Sequence, residues 1–135
     1  MRPIPVGAKG SYMLRVTPAH LANQFKDVSL PKVFATPMMV TAMENAALNA
    51  VRDYLDPGES VVGTMVNVRH LAATPTGHWV TAEAEVTNVD GRRIEFKVSA
   101  RDEIEEIGNG THERMVVDMA RIDRRLQAKQ RGPQG

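Results

Sequence analysis

The sequence predicts an α+β fold: an antiparallel sheet of about five strands wrapped around one long helix, in the order strand, helix, four strands. Three observations predict it. A single stretch, residues 36 to 55, has sharp helix boundaries. The segments after it alternate apolar and polar residues at the strand period of two. The links between those segments are too short for helical crossovers, so successive strands must pair antiparallel. One face of such a sheet buries the helix. The other face, or the sheet edge, is left for a second subunit, which predicts a homodimer.

The first strand falls in "GSYMLRVT". The helix opens at "ATPMM", where Thr36 reads as the N-cap and Pro37 as the first helical residue, and it stops at "YLDPGES", where Pro57 and Gly58 are a strong terminator. About 18 residues at 1.5 Å each give a helix near 27 Å long. In "SVVGTMVNVRHLA", Val62, Thr64, Val66, Val68 and His70 share one parity, with Gly63, Met65, Asn67 and Arg69 on the other. "HWVTAEAEV" alternates on Val80, Ala82, Ala84 and Val86, and "RIEFKVSA" on Ile94, Phe96, Val98 and Ala100. Between them "NVDGRR" carries Asp90-Gly91, a strong hairpin signal. "IGNGTHERMVVDM" is the last strand, its glycines marking a bulge or a close backbone approach. Residues 1–125 read as one domain, and 126–135 as a basic, flexible tail.

Composition narrows the function. A chain of 135 residues is one domain with room for a core. The absence of cysteine excludes disulfides, thiol nucleophiles and thiolate zinc sites. Seventeen basic against sixteen acidic residues argue against a whole-domain grip on nucleic acid. "MRPIPVGAKG" lacks the apolar run of a signal peptide, and no stretch approaches the roughly 18 apolar residues of a membrane span. The expectation is a cytoplasmic protein with neither membrane nor nucleic-acid partner. Metal-ligand spacings, a glycine-rich phosphate loop and a G-x-S-x-G elbow are all missing, so no metal site is expected.

One residue conflicts with this bland picture. Within "VTAMENAALNAV", Glu44 falls with Val40, Ala47, Leu48, Val51 and Leu55 inside about a quarter of the helix circumference. An unpaired carboxylate on an apolar face costs several kcal/mol, so it must be paired, neutralised or functional. His70 shares its parity with Val66 and Val68 and points to the same interior. A buried glutamate and a histidine suit general acid–base chemistry, but a self-satisfying buried pair explains them equally. Thr36 is ambiguous too: it caps the helix, or it stands at the positive helix end where a thioester carbonyl would be stabilised. His78 and His112 read as exposed, and His20 as a loop residue.

The stretches "VFATPMMVTAMENAA", "DPGESVVGTMVNVRHLAATPTG" and "VDGRRIEFKVSARDEIEEIGNGTHERMVV", with a charged C-terminal helix after them, resemble the fluoroacetyl-CoA thioesterase-like group of hot-dog-fold acyl-CoA thioesterases across roughly residues 5 to 125. In that group a threonine, a glutamate eight residues on and a histidine 26 residues further form the catalytic set; here those spacings fall on Thr36, Glu44 and His70. The resemblance implies a hot-dog homodimer with sites at the subunit interface. It implies hydrolysis of a short or medium acyl-CoA, fluoroacetyl-CoA-like esters included, to free acid and CoA, with no metal and no cofactor beyond the CoA of the substrate. Gly63, Arg114, Leu30 and Phe34 are the implied substrate-binding residues. Glu44 would activate water or attack the carbonyl itself, Thr36 would bond the carboxylate or the carbonyl, and His70 would handle the proton bound for the thiolate. Two departures stand out: Leu30 occupies the position of an aromatic lid residue, and Pro37 follows the threonine where a small flexible residue is expected. A hydratase of the same fold and a non-catalytic acyl-CoA-binding dimer are the alternatives; the Asp-x-Asn-x-x-His run of the hydratases is absent.

Overall fold

The computed structural model describes residues 1–133. Five strands, β1 (Lys9–Arg15), β2 (Glu59–His70), β3 (Trp79–Asp90), β4 (Arg93–Arg101) and β5 (Glu106–Asp118), form one antiparallel sheet in the order β1-β3-β4-β5-β2. Helices α1 (Ala22–Phe25), α2 (Thr36–Val51) and α3 (Met119–Gln130) complete the chain. Helix α2 lies across the inner face of the sheet, mainly over β1 and β3.

The inner face of the sheet follows the expected alternation. Val80, Ala82, Ala84 and Val86 of β3 and Ile94, Phe96, Val98 and Ala100 of β4 are all buried. The hairpin between them closes on Gly91 and Arg92, and only Gly91 has a positive φ, +61°. Glycine alone at the first central position is the pattern of a type II′ turn, whose twist matches the strands.

Helix α2 is rotated relative to the stripe hydrophobicity suggests: Ala47 and Val51 of that stripe are buried, and the rest of the buried face lies to one side of it. Met39, Ala42, Met43, Ala46, Ala47, Ala50 and Val51 are buried, while Val40, Glu44 and Leu48 lie half-buried on the flank. Small side chains decide the rotation: the alanines let the helix lie close to the sheet, and Gly10 of β1 sits directly against the backbone of Ala46 and Ala50. Hydropathy ranks Val and Leu above Ala, but close approach favours the smaller residue.

Strand β2 also departs from simple parity. A bulge between Gly63 and Met65 inserts Thr64, so the inner face passes from Val61 and Gly63 to Val66, Val68 and His70. Gly63 therefore shares a face with His70, against the reading from unbroken alternation. The outer face of the sheet is largely polar, with Ser11, Arg15, Glu83, Lys97 and Thr111 exposed beside the apolar Met13 and Trp79. By contrast, β2 stands at the sheet edge with Val62, Met65 and Val66 about 40% exposed. Residues 126–130, read as flexible tail, continue α3, whose first turn is capped by the Asp118 carboxylate accepting from Ala120 N–H at 2.9 Å. Residues 134 and 135 of that tail lie outside the described residues. No helix among the described residues is long and apolar enough to cross a membrane.

Candidate active site

Two groups of polar side chains gather along β2. The first joins Thr36, in the opening turn of α2, to His70 at the end of β2: the Thr36 hydroxyl lies 2.8 Å from His70 Nδ1. Thr36 is not the helix cap. Ala35 holds that position, its carbonyl accepting from the N–H groups of Met38 and Met39, and no side chain caps the helix. Helical geometry starts one residue earlier than the proline suggests, which leaves the threonine hydroxyl for the imidazole. His70 is half-buried, and burial pushes its pKa below the ordinary histidine value, with the nearby Ala72 backbone opposing. The ring is thus held neutral at pH 7 and able to accept a proton. Its Nε2 is buried with no hydrogen-bond partner among the described residues.

The second group is built around Glu44, two helical turns further on. Its carboxylate is 38% exposed and lies 3.8 Å from Arg114 Nη1. The orphaned acid expected on a buried stripe is therefore an acid on a flank, facing a guanidinium. Arg114, on the inner face of β5, donates from Nη2 to the Val61 carbonyl at 2.7 Å and from Nη1 to the Glu44 main-chain carbonyl at 3.3 Å. Burial lowers the pKa of this guanidinium, and the Glu44 charge works the other way. Gly63 pairs with Arg114 across the strands, and a Cβ there would stand 2.8 Å from Glu44 Oε2. Glycine is what makes room for the carboxylate.

His112 belongs to this second group, although its polar surroundings in sequence read as exposed. It is 1% exposed and stacks on Phe96, ring centroids 5.7 Å apart. Its parity with Arg114 and Val116 was the available signal, outweighed by the polar run around it. His78 is half-buried rather than exposed, and His20 accepts from Thr17 N–H at 3.0 Å. Phe34 lies in the core at 1% exposure, edge-on to His20, whereas Leu30 is 37% exposed in the segment before α2. Among the described residues no three His, Asp or Glu side chains come close enough to hold a metal.

The two groups do not meet within one chain. Eight residues of helix separate Thr36 from Glu44 by about 12 Å along the axis. The stretch of β2 from Gly63 to His70 spans about 20 Å.

A sequence profile for the fluoroacetyl-CoA-specific thioesterases matches residues 16–120. The chain belongs to that family. Among its relatives, the fluoroacetyl-CoA thioesterase of Streptantibioticus cattleyicolor is 48% identical over 99 residues, 73% of this chain and 71% of the relative. A solved structure of the fluoroacetyl-CoA thioesterase superposes with a TM-score of 0.89 at 39% identity, covering 94% of this chain and 98% of that one. Other structures of that enzyme, as single-residue variants, hold acetyl-CoA or fluoroacetate with CoA. A thioesterase superfamily member from Thermus thermophilus gives a TM-score of 0.89 at 31% identity, covering 98% and 100%. The fold is the hot-dog fold, and this member of the fluoroacetyl-CoA-specific thioesterase family is an acyl-CoA thioester hydrolase.

Proposed function

We propose that the active unit is a homodimer in which Glu44 of one protomer meets Thr36 and His70 of its partner, and that it hydrolyses short acyl-CoA esters. The observation that carries this reading is the division of the three residues into two distant groups on a chain whose exposed apolar strand, β2, stands at the sheet edge. Antiparallel pairing of β2 with its own copy runs the two strands in opposite directions. A twofold axis near residues 66 and 67 then brings Gly63 of one protomer, with its neighbour Glu44, opposite the partner's His70. It also covers Val62, Met65 and Val66 and completes the ladder of an edge strand that would otherwise invite aggregation.

In that arrangement the Glu44 carboxylate attacks the thioester carbonyl carbon itself or takes a proton from the water that does so. The tetrahedral intermediate collapses with rupture of the carbon–sulfur bond. CoA leaves as thiolate and is protonated through His70 by the proton that the hydrolytic water releases, since the neutral ring must accept before it donates, with Thr36 holding the ring in place or bonding the carbonyl oxygen. In the first route water then hydrolyses the anhydride on Glu44. A single turnover in ¹⁸O-water that leaves label in Glu44 marks the first route, with water attacking the glutamyl carbonyl, and trapping of the anhydride by hydroxylamine marks it where water attacks the acyl carbon. No cofactor enters, and CoA is part of the substrate.

The names of the relatives put fluoroacetyl-CoA in the substrate class. Leu30, aliphatic at the lid position, supports a preference that extends to other short acyl groups. Free-thiol release from acetyl, fluoroacetyl and longer acyl-CoA esters tests the proposal, with Glu44→Gln beside the wild type. Release that peaks on a short ester and collapses in the variant supports it. No release from any ester, with both proteins folded and dimeric, sends Glu44 back to a structural or ligand-binding role.

A further inference from the structure

We propose that His112 is a positioning residue of the site, which occupies a proton of Arg114 and so keeps that proton off the catalytic carboxylate of Glu44. The argument starts from proton counting. His112 Nδ1 is 2.8 Å from the Met65 carbonyl oxygen, which can only accept, so Nδ1 carries the hydrogen. Burial and the neighbouring Arg114 charge keep the ring neutral, against opposing contributions from the Met65 carbonyl, Glu44 and Glu113. In the neutral ring Nε2 is then an acceptor, and it faces Arg114 Nη1 at 3.2 Å.

Arg114 Nη1 has two protons. One goes to His112 Nε2 and the other to the Glu44 main-chain carbonyl at 3.3 Å. Neither remains for the Glu44 carboxylate, which stands off at 3.8 Å. The guanidinium thus supplies charge without binding the reactive oxygens, and their lone pairs stay available to water or substrate. The His112 ring is held by Phe96 behind it and the bare backbone of Gly63 beside it, since a Cβ at Gly63 would lie 3.4 Å from His112 Cε1. The charged groups around the ring are Arg114 and Glu44 on its own side and Glu113 on the opposite face of β5.

Replacing the acceptor frees one Nη1 proton to close on the carboxylate as a direct ion pair. His112→Phe retains the stack on Phe96 but cannot accept. The expected result is a kcat lowered by about 10- to 100-fold with KM changed less than about threefold, and an acid limb of the kcat profile moved to lower pH. His112→Gln, whose amide oxygen can take the Arg114 proton, recovers most of the rate. Because His112 acts through Arg114, the double variant with Arg114→Met is no slower than Arg114→Met alone. Wild-type kcat in His112→Phe, equal losses in the Phe and Gln variants, or additive losses in the cycle would each overturn the proposal.

The inference rests on Glu44 being the acting carboxylate, and one readout is independent of turnover. ¹⁵N NMR of the wild-type imidazoles should show His112 as the neutral Nδ1–H tautomer between pH 6 and 8, whether or not the Phe variant folds. An Nε2–H tautomer, or a ring charged at pH 7, would refute the positioning role even in an active enzyme. The expected tautomer in a protein without turnover would locate the failure in the thioesterase reading instead.

Discussion

Gly63→Ala should separate activity from stability. A Cβ at this position would stand 2.8 Å from Glu44 Oε2, the nearest heavy atom, and 3.4 Å from His112 Cε1. A carbon–oxygen contact relaxes to about 3.3 Å or more, so the carboxylate must retreat by about 0.5 Å. Arg114 stands on one side of it at 3.8 Å, so the retreat changes how the carboxylate meets the carbonyl carbon. Misplacement by about 1 Å can cost 10²-fold, and half of that gives an expected loss of about 10- to 100-fold in kcat, or about 1.4–2.7 kcal/mol of barrier. Stability should move the other way. No backbone atom obstructs the methyl group, Gly63 has no positive φ, and removing a glycine stiffens the unfolded chain by about 0.4–1 kcal/mol. Steady-state thiol release beside urea denaturation measures both quantities on one preparation. Full activity in Gly63→Ala, or destabilisation beyond about 1 kcal/mol, would refute the idea that this glycine exists to seat the carboxylate.

The mirror case is Gly10→Ala, where the methyl group meets the backbone of Ala46 and Ala50. A helix backbone cannot yield as a side-chain tip does, so the denaturation midpoint should fall by the equivalent of about 1–3 kcal/mol or more. Thr36→Val keeps the shape of the side chain but loses the 2.8 Å contact with His70. Activity should fall by about 10-fold or more and return in Thr36→Ser, while stability, at an exposed position, changes by less than about 1 kcal/mol. The pH dependence of stability follows from the two depressed histidines. His70 and His112 both have folded pKa values below the unfolded one, so the unfolded state binds protons first as pH falls. Their stabilisation is complete above about pH 6.5 and is lost below it, which urea midpoints between pH 5 and 8 should follow. A flat profile would show that both rings take up protons as readily in the folded state as in the unfolded one.

Most of the fold was legible because it rests on short-range signals. The parity of β3 and β4, the glycine of their hairpin and the proline–glycine stop after α2 each specify local geometry without reference to the rest of the chain. The rotation of α2 was not legible, because the sheet selects alanines for close approach and a scale of apolarity does not see that. Inner and outer residues of β2 were half legible: the bulge at Thr64 reverses the parity of Val62 and Gly63 but leaves His70 where alternation puts it. The resemblance to the thioesterase family, not the residues alone, named Thr36, Glu44 and His70 together, and one chain brings only Thr36 and His70 into contact. His112 was missed because a histidine in the run Thr-His-Glu-Arg reads as solvated until its partners in β2 and β4 are known.

Mixed dimers test the central claim most directly. Glu44→Gln and His70→Ala homodimers should each be nearly inactive in thiol release. When the two are mixed in equal amounts and allowed to exchange subunits, half of the dimers are hybrids. If Glu44 of one protomer works with the partner's His70, each hybrid contains one site with both native residues, and the mixture recovers about a quarter of wild-type activity. If all three residues act within one chain, every site in the hybrid carries a lesion. Exchange verified by mass, with no recovery of thiol release, would contradict the account.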